Sequence, residues 1–184
     1  MRQNEWTTLT RDVDGLLIPT AIPIALPSGT TVEIVQSLGG SYTVNVNGNL
    51  VRIESIDADA LGKEEVLQTE VEKVKFAEGP VIEEDLWEQL KSCYDPEIPV
   101  NIVELGLIYD CQIEPDLKNK KNKILVTMTL TAPGCGMGPV IAEEVKSKIS
   151  SVKNVTEVEV ELVFDPPWSQ DKMSEAAKLQ LGFL

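Results

Sequence analysis

In the stretch VTMTLTAPGCGMGPVIAEEV, Val126 to Val145, a single cysteine, Cys135, stands between Gly134 and Gly136, after a strand-like run and ahead of a helix-like one. Glycines on both sides leave the sulfur uncrowded. The N–H groups that open a helix lack intrahelical partners and stabilise a thiolate placed before them. Such a thiolate is a nucleophile, a redox centre or a soft metal ligand. The chain contains no histidine, which removes Ser-His-Asp and Cys-His catalysis, two-histidine zinc sites and facial-triad iron sites. Metal, if it binds, sits on thiolate or carboxylate. PGCGMG also reads as a tight strand-to-helix turn in which the glycines supply unusual backbone angles and the cysteine is incidental. Cysteine, however, is not a residue that a turn demands.

The other two thiols differ from this one. Cys93 falls on the apolar face of a predicted helix and Cys111 on the apolar face of a predicted strand, and free cysteine is among the most buried residue types, so both read as core. The three cysteines are 18 and 24 residues apart, which matches no close-spaced thiolate pair. A complete iron–sulfur or zinc site takes about four ligands, so one chain supplies too few. One thiolate per subunit could hold metal across a homodimer, or transiently with a client or a small thiol filling the other positions. The loop DPEIPV adds Asp95 and Glu97 around Pro96. Helix-stopping and capping account for these carboxylates by spacing alone, and the wall of a site is the functional alternative.

A strand and a helix must position Cys135, and the flanking pattern supplies both. Ile124, Val126, Met128 and Leu130 alternate as in a strand, and so do Leu107, Tyr109, Cys111 and Ile113 before the basic turn DLKNKKNK, so the two runs pair as a hairpin. Val140, Val145 and Ile149 suit a helix after the cysteine, and Val158, Val160, Leu162 and Phe164 against Glu157, Glu159 and Glu161 suit a third strand with one wet face. Upstream, Pro80 suits a first helical residue, Glu83, Glu84 and Asp85 fill a first turn, and Ile82, Leu86, Leu90 and Cys93 share one face. A last amphipathic helix runs from about Asp171 to Leu181 and ends at Gly182. The expected fold is α+β: a small N-terminal β domain over residues 1–61, a charged linker over 62–79 that is partly helical through Leu67, Val71 and Val74, and an α-β-β-α-β domain over 80–184 with a mixed three-stranded sheet and a C-terminal helix. In the β domain, TTVEIVQ, SYTVNV and NLVRI read as strands, with Asn47-Gly48 as a two-residue hairpin turn.

Composition limits the partners. Thirty Asp and Glu against 16 Lys and Arg give a formal charge of -14, which opposes both phosphate neutralisation and attraction to anionic lipid. Nucleic acid and membrane are set aside. The longest apolar stretch, GLLIPTAIPIALP, is too short for a bilayer and is broken by Pro19 and Pro23. The N-terminal MRQNEWTTLTRDVDG lacks the apolar core of a signal peptide. Unpaired cysteines fit a reducing compartment, so the expected location is the cytoplasm.

Three motifs in order, DPEIPVNIVELGLIY, TLTAPGCGMG and DPPWSQDKMSEAAKLQLGF, make residues 80–184 resemble the SufT-like family of iron–sulfur cluster assembly and maturation proteins, small accessory domains of the SUF system. The long form with an N-terminal β region over Gly15 to Leu61 resembles the SufT branch. The resemblance implies a role in maturing or delivering clusters and no catalytic residues. It implies Cys135 as the metal ligand, a functional loop of Asp95, Pro96, Glu97, Thr131, Gly134 and Gly136, and support from Asp165, Pro166, Pro167, Trp168 and Met173, with Trp168 as a cover for the loop. It implies an iron–sulfur cluster or iron held transiently and otherwise no cofactor. The implied partners are apo iron–sulfur client proteins and SUF-type assembly components. The fold is also similar to the C-terminal domain of NifU-type scaffolds, whose loop carries two cysteines three apart. Here the second position is Gly138, which favours transient ligation or an adaptor role over stable scaffolding. The rival reading is a thiol-dependent redox or acyl-transfer enzyme using Cys135. It lacks both a histidine base and a nearby resolving cysteine. A non-metal adaptor in which Cys135 is only structural is a third.

Overall fold

The computed structural model describes residues 5–38, 40–63 and 79–183. Two compact units are present, one formed by residues 5–63 with Pro96–Pro99 and the other by residues 79–95 with 100–183. Residues 64–78, on which the partly helical linker was expected, lie outside the described residues.

The first unit is an antiparallel sheet of six strands, β1 (Glu5–Thr8), β2 (Val13–Leu17), β3 (Ile22–Leu26), β4 (Thr31–Leu38), β5 (Ser41–Val46) and β6 (Asn49–Ile53), in the order β1-β4-β5-β6-β2-β3. One face carries Val32, Val44, Val51 and Ile53, fully buried against Leu9, Leu26 and the Ala58, Ala60 and Leu61 of a 3-10 helix, Ser55–Leu61. Burial of this face is the main stabilising contribution. The β5–β6 turn is the expected one. Asn47 and Gly48 have φ of 53° and 88°, the two positive angles that a type I′ turn requires. Sequence patterning finds β4 to β6 and passes over β1, β2 and β3. The β2–β3 hairpin has no polar alternation, because Leu16, Leu17, Ile22 and Ile24 are apolar on both faces. Gly15 has no side chain because a Cβ there would sit 2.4 Å from Val51 Cγ1.

The second unit has the expected order: α1 (Glu83–Lys91), β7 (Ile108–Asp116), β8 (Lys121–Met128), α2 (Gly138–Ser150) and β9 (Glu157–Leu162), then α3 (Glu175–Leu181). β7 and β8 are antiparallel and β8 and β9 parallel, so α2 is the crossover that a parallel pair needs. Its core is Ile124, Val126 and Met128 of β8, Leu86 and Leu90 of α1, and Ile141, Val145 and Ile149 of α2. Buried Lys148 of α2 pairs with Glu144 at 3.0 Å and donates to the Ser92 carbonyl at 2.6 Å, where a cation complements the C-terminal end of α1.

Four local expectations are corrected. α1 starts at Glu83, not at Pro80, and Ile82 is its N-cap, 54% exposed, so the buried stripe is Leu86, Leu90 and Cys93. A bulge between Ile108 and Asp110 breaks the expected alternation in β7. Ile108, Cys111 and Ile113 therefore lie opposite Met128, Val126 and Ile124, and Tyr109 is displaced from that set. Phe164 lies past the end of β9 and is 47% exposed. α3 starts at Glu175 because Ser174 caps it, accepting from the Ala177 N–H at 3.1 Å, while Asp171 sits in a separate 3-10 turn.

Candidate functional site

The Cys135 loop begins where β8 ends at Met128, and the strand end is tied on both sides. Thr129 N–H donates to the Leu107 carbonyl and Val163 N–H to the Met128 carbonyl, each at 2.8 Å. Leu130, nearly buried, packs under the start of α2: a Cβ on Gly138 would lie 2.6 Å from Leu130 Cδ1 and 3.6 Å from Leu162 Cδ1. The helix thus starts hard against the strand ends, and residues 131–137 must turn within that space. Gly134 makes the turn at φ 84° with open space around it, an angle that disfavours any side chain. Cys135 N–H reaches the Ala132 carbonyl at 3.4 Å, and the Cys135 carbonyl accepts from Gly138 N–H at 3.1 Å. Met137 is buried and anchors the exit.

Within this loop Thr131, Cys135 and Gly136 are half-buried and Gly134 is exposed. The first turn of α2 contains no acidic residue and its N-cap, Met137, makes no side-chain hydrogen bond, so its dipole meets no local negative side chain. Cys93 is fully buried, with Sγ 3.6 Å from the Gln89 carbonyl. Cys111 is half-buried on edge strand β7, and burial, then the carboxylates of Glu83 and Asp110, push its thiol up to about 11. Cys111 is therefore not disposed to act as a thiolate near neutral pH, and Cys93 is closed off from solvent.

The acidic loop springs from the end of α1. A Tyr94–Asn101 bridge and the Ile102 N–H to Cys93 carbonyl bond, 3.0 Å, close its base. Asp95 and Pro96 are buried and Glu97 is exposed. Asp95 belongs to the second unit and Pro96–Pro99 to the first, where Thr43 Oγ1 donates to the Pro96 carbonyl at 3.1 Å. Among the described residues no group of three or more Cys, Asp or Glu side chains is gathered as a cage for a metal ion. No described helix is long and apolar enough to cross a membrane.

The C-terminal motif forms a strap. Trp168 Nε1 donates to the Leu105 carbonyl at 2.8 Å and Tyr109 Oη to the Pro166 carbonyl at 2.7 Å. Met173 is buried and Asp165 exposed. Sequence reasoning singled out Trp168 and missed the strap's partners: Leu105 for Trp168, Tyr109 for Pro166 and Glu104 for Ser174. A signal existed in Gly106, where a Cβ would lie 2.2 Å from the Lys172 carbonyl oxygen.

Comparison with known proteins bears on this unit. Residues 83–161 match the family model described as "Iron-sulfur cluster assembly protein". The "Fe-S protein maturation auxiliary factor" of Porphyromonas gingivalis is 49% identical over 102 residues, which are 55% of this chain and 92% of that one. The chain belongs to the iron–sulfur cluster assembly protein family. Two further relatives of this family are the Bacillus subtilis "Fe-S protein maturation auxiliary factor YitW", 41% identical over 55% of this chain and 94% of that one, and the Staphylococcus aureus "Fe-S protein maturation auxiliary factor SufT", 40% identical over 48% and 94%. The segment matched to the family runs from α1 to β9 and contains Asp95, Glu97, Thr131 and Cys135. The six-stranded unit of residues 5–63 lies outside it.

Proposed function

We propose that this chain is an iron–sulfur maturation factor that holds iron or a cluster transiently on the Cys135 thiolate and passes it to client proteins in the cytoplasm, without catalysing turnover. The observation that carries this reading is the difference between its three thiols. Cys93 is fully buried and Cys111 is held protonated by its surroundings, whereas Cys135 is half-buried on a glycine-flanked loop ahead of α2. The family and the printed names of the relatives support the cargo.

A single thiolate falls short of the roughly four ligands of an ordinary cluster. The remaining positions are filled by a second copy, a client or a small thiol. Asp95 and Glu97 shape the neighbourhood or recognise a partner, and a hard carboxylate is a poor substitute for sulfur. The test is anaerobic reconstitution with iron and sulfide, with and without glutathione, on wild type and Cys135→Ser, read by absorbance, iron per chain and light scattering. Wild type is expected to take up iron in step with dimerisation or added thiol, and Cys135→Ser to lose that uptake. A monomer holding a full cluster with no added thiol would refute the ligand assignment.

A further inference from the structure

The strap of residues 165–174 is clamped to one short segment, 104–109. Besides the Trp168–Leu105 and Tyr109–Pro166 bonds, Lys172 Nζ lies 4.2 Å from the centroid of the Tyr109 ring. Ser174 N–H donates to the Glu104 carbonyl at 2.9 Å, and the Ser174 hydroxyl bonds the Glu104 carboxylate. Gly106 permits the close approach of Lys172. The same segment is also tied to the end of β8: Leu107 N–H donates to the Ile102 carbonyl, and the Leu107 carbonyl accepts from Thr129 N–H. Thr129 stands two residues before Thr131 and six before Cys135, at the point where the chain leaves β8. Segment 104–109 therefore lies in a chain of bonds that begins at the strap and ends at the root of the Cys135 loop.

We propose that Trp168 and Tyr109 are positioning residues for the Cys135 loop. They fix the Leu105–Tyr109 segment, so that the Leu107 carbonyl holds Thr129 in register and sets where the chain turns toward the thiol. Leu105 is fully buried, so losing the indole donor leaves its carbonyl without that partner, and the segment shifts to compensate. The relevance to function rests on the reading of Cys135 as the working thiol. The mechanics do not, since no metal is involved.

The test uses the full apo chain as Tyr109→Phe, which keeps the ring and removes the donor, and as Trp168→Phe, which keeps an aromatic side chain and removes the donor. Two quantities are followed: residue-resolved amide exchange, and the rate of iodoacetamide labelling of Cys135, with fully buried Cys93 as the control that is labelled only on global opening. In either variant, Thr129 N–H is expected to exchange about tenfold faster through local opening while the amides at the centre of β8 stay as in wild type. Cys135 labelling is expected to quicken about threefold with the loosened loop. Faster exchange confined to 104–109 and the strap, with Thr129 and Cys135 unchanged, would show that the strap holds only itself and overturn the proposal. So would a uniform acceleration throughout the unit, which is a loss of global stability. Failure of iron uptake in the reconstitution experiment would leave both results standing, so the two readings fail separately.

Discussion

Gly138→Ala is the sharpest probe of how the loop is built. Gly138 opens α2 without a positive φ, so alanine meets no backbone obstacle and on propensity alone should stabilise the chain by roughly 0.5–1 kcal/mol. Packing opposes this. The new Cβ would lie 2.6 Å from Leu130 Cδ1 and within 3.6 Å of Leu162 Cδ1, and Leu130 is 5% exposed with little room to turn away. Overpacking of this kind costs about 1–3 kcal/mol. The net expectation is a loss of about 1 kcal/mol, or roughly 2–4 °C in Tm for a chain of this length. The assay is urea unfolding followed by the fluorescence of Trp87 and Trp168, both in the second unit, in a Trp6→Phe background. The midpoint should fall with the slope unchanged. Leu130→Val, which retracts the offending methyl at a cost of about 1 kcal/mol, should rescue: the double variant is expected to be more stable than the sum of the singles by about 0.5–1 kcal/mol. Strict additivity, or a Gly138→Ala chain more stable than wild type, would refute the contact argument. Cysteine is larger than alanine, so Gly138→Cys in the wild-type background is expected to cost more still.

Two other expectations follow from individual side chains. Brief limiting iodoacetamide at pH 8 should label Cys135 first and leave Cys93 untouched, and Cys111 should stay slow until the pH nears 11. Because the folded Cys111 thiol is raised from 9.0 to about 11, its contribution to stability is full below the unfolded value and is lost as pH rises through that window, where the unfolded chain releases its proton first. Peptide mapping across pH 8–11 reads the labelling and urea midpoints over the same range read the stability, and early label at Cys111 would break the division of the thiols. Thr129 Oγ1 is buried and has no hydrogen-bond partner among the described residues, so Thr129→Val, nearly the same shape, should raise stability by roughly 1 kcal/mol. A lower midpoint in urea would mean that the hydroxyl is satisfied in solution.

The second unit was legible because its elements are each half-wet. Alternation in β8 and β9 and the four-residue spacing of Leu86 and Leu90 are direct consequences of one face meeting core and the other meeting water. What escaped lies where that condition fails. The β2–β3 hairpin is apolar on both faces, so a period of two leaves no trace, and the close approach of Gly15 to Val51 leaves no pattern either. The bulge at Tyr109 shifts β7 by one residue. Spacing cannot announce such a shift, because the residues remain apolar enough in either register. The strap was legible as a motif, but its partners were not, since backbone carbonyls such as those of Leu105 and Pro166 accept bonds whatever side chain they carry.

The lone thiol was visible in the sequence, whereas its physical reason is visible only in the packing. The position three residues beyond Cys135 is filled from outside by Leu130, with Leu162 in ordinary contact, so a second sulfur there would have to displace the buried Leu130 side chain. The geometry that makes the loop short and presses α2 against β8 and β9 is thus the same geometry that leaves it with one thiol. On the proposed reading this has a kinetic consequence. Cargo bound through one protein sulfur, with its other positions filled by exchangeable thiols or a second copy, leaves by ligand substitution at those positions without any opening of the fold. A two-cysteine loop would have to be stripped of both sulfurs before release. A chain whose work is to hand a cluster onward is therefore better served by the packed glycine at 138 than by the cysteine that would bind more tightly.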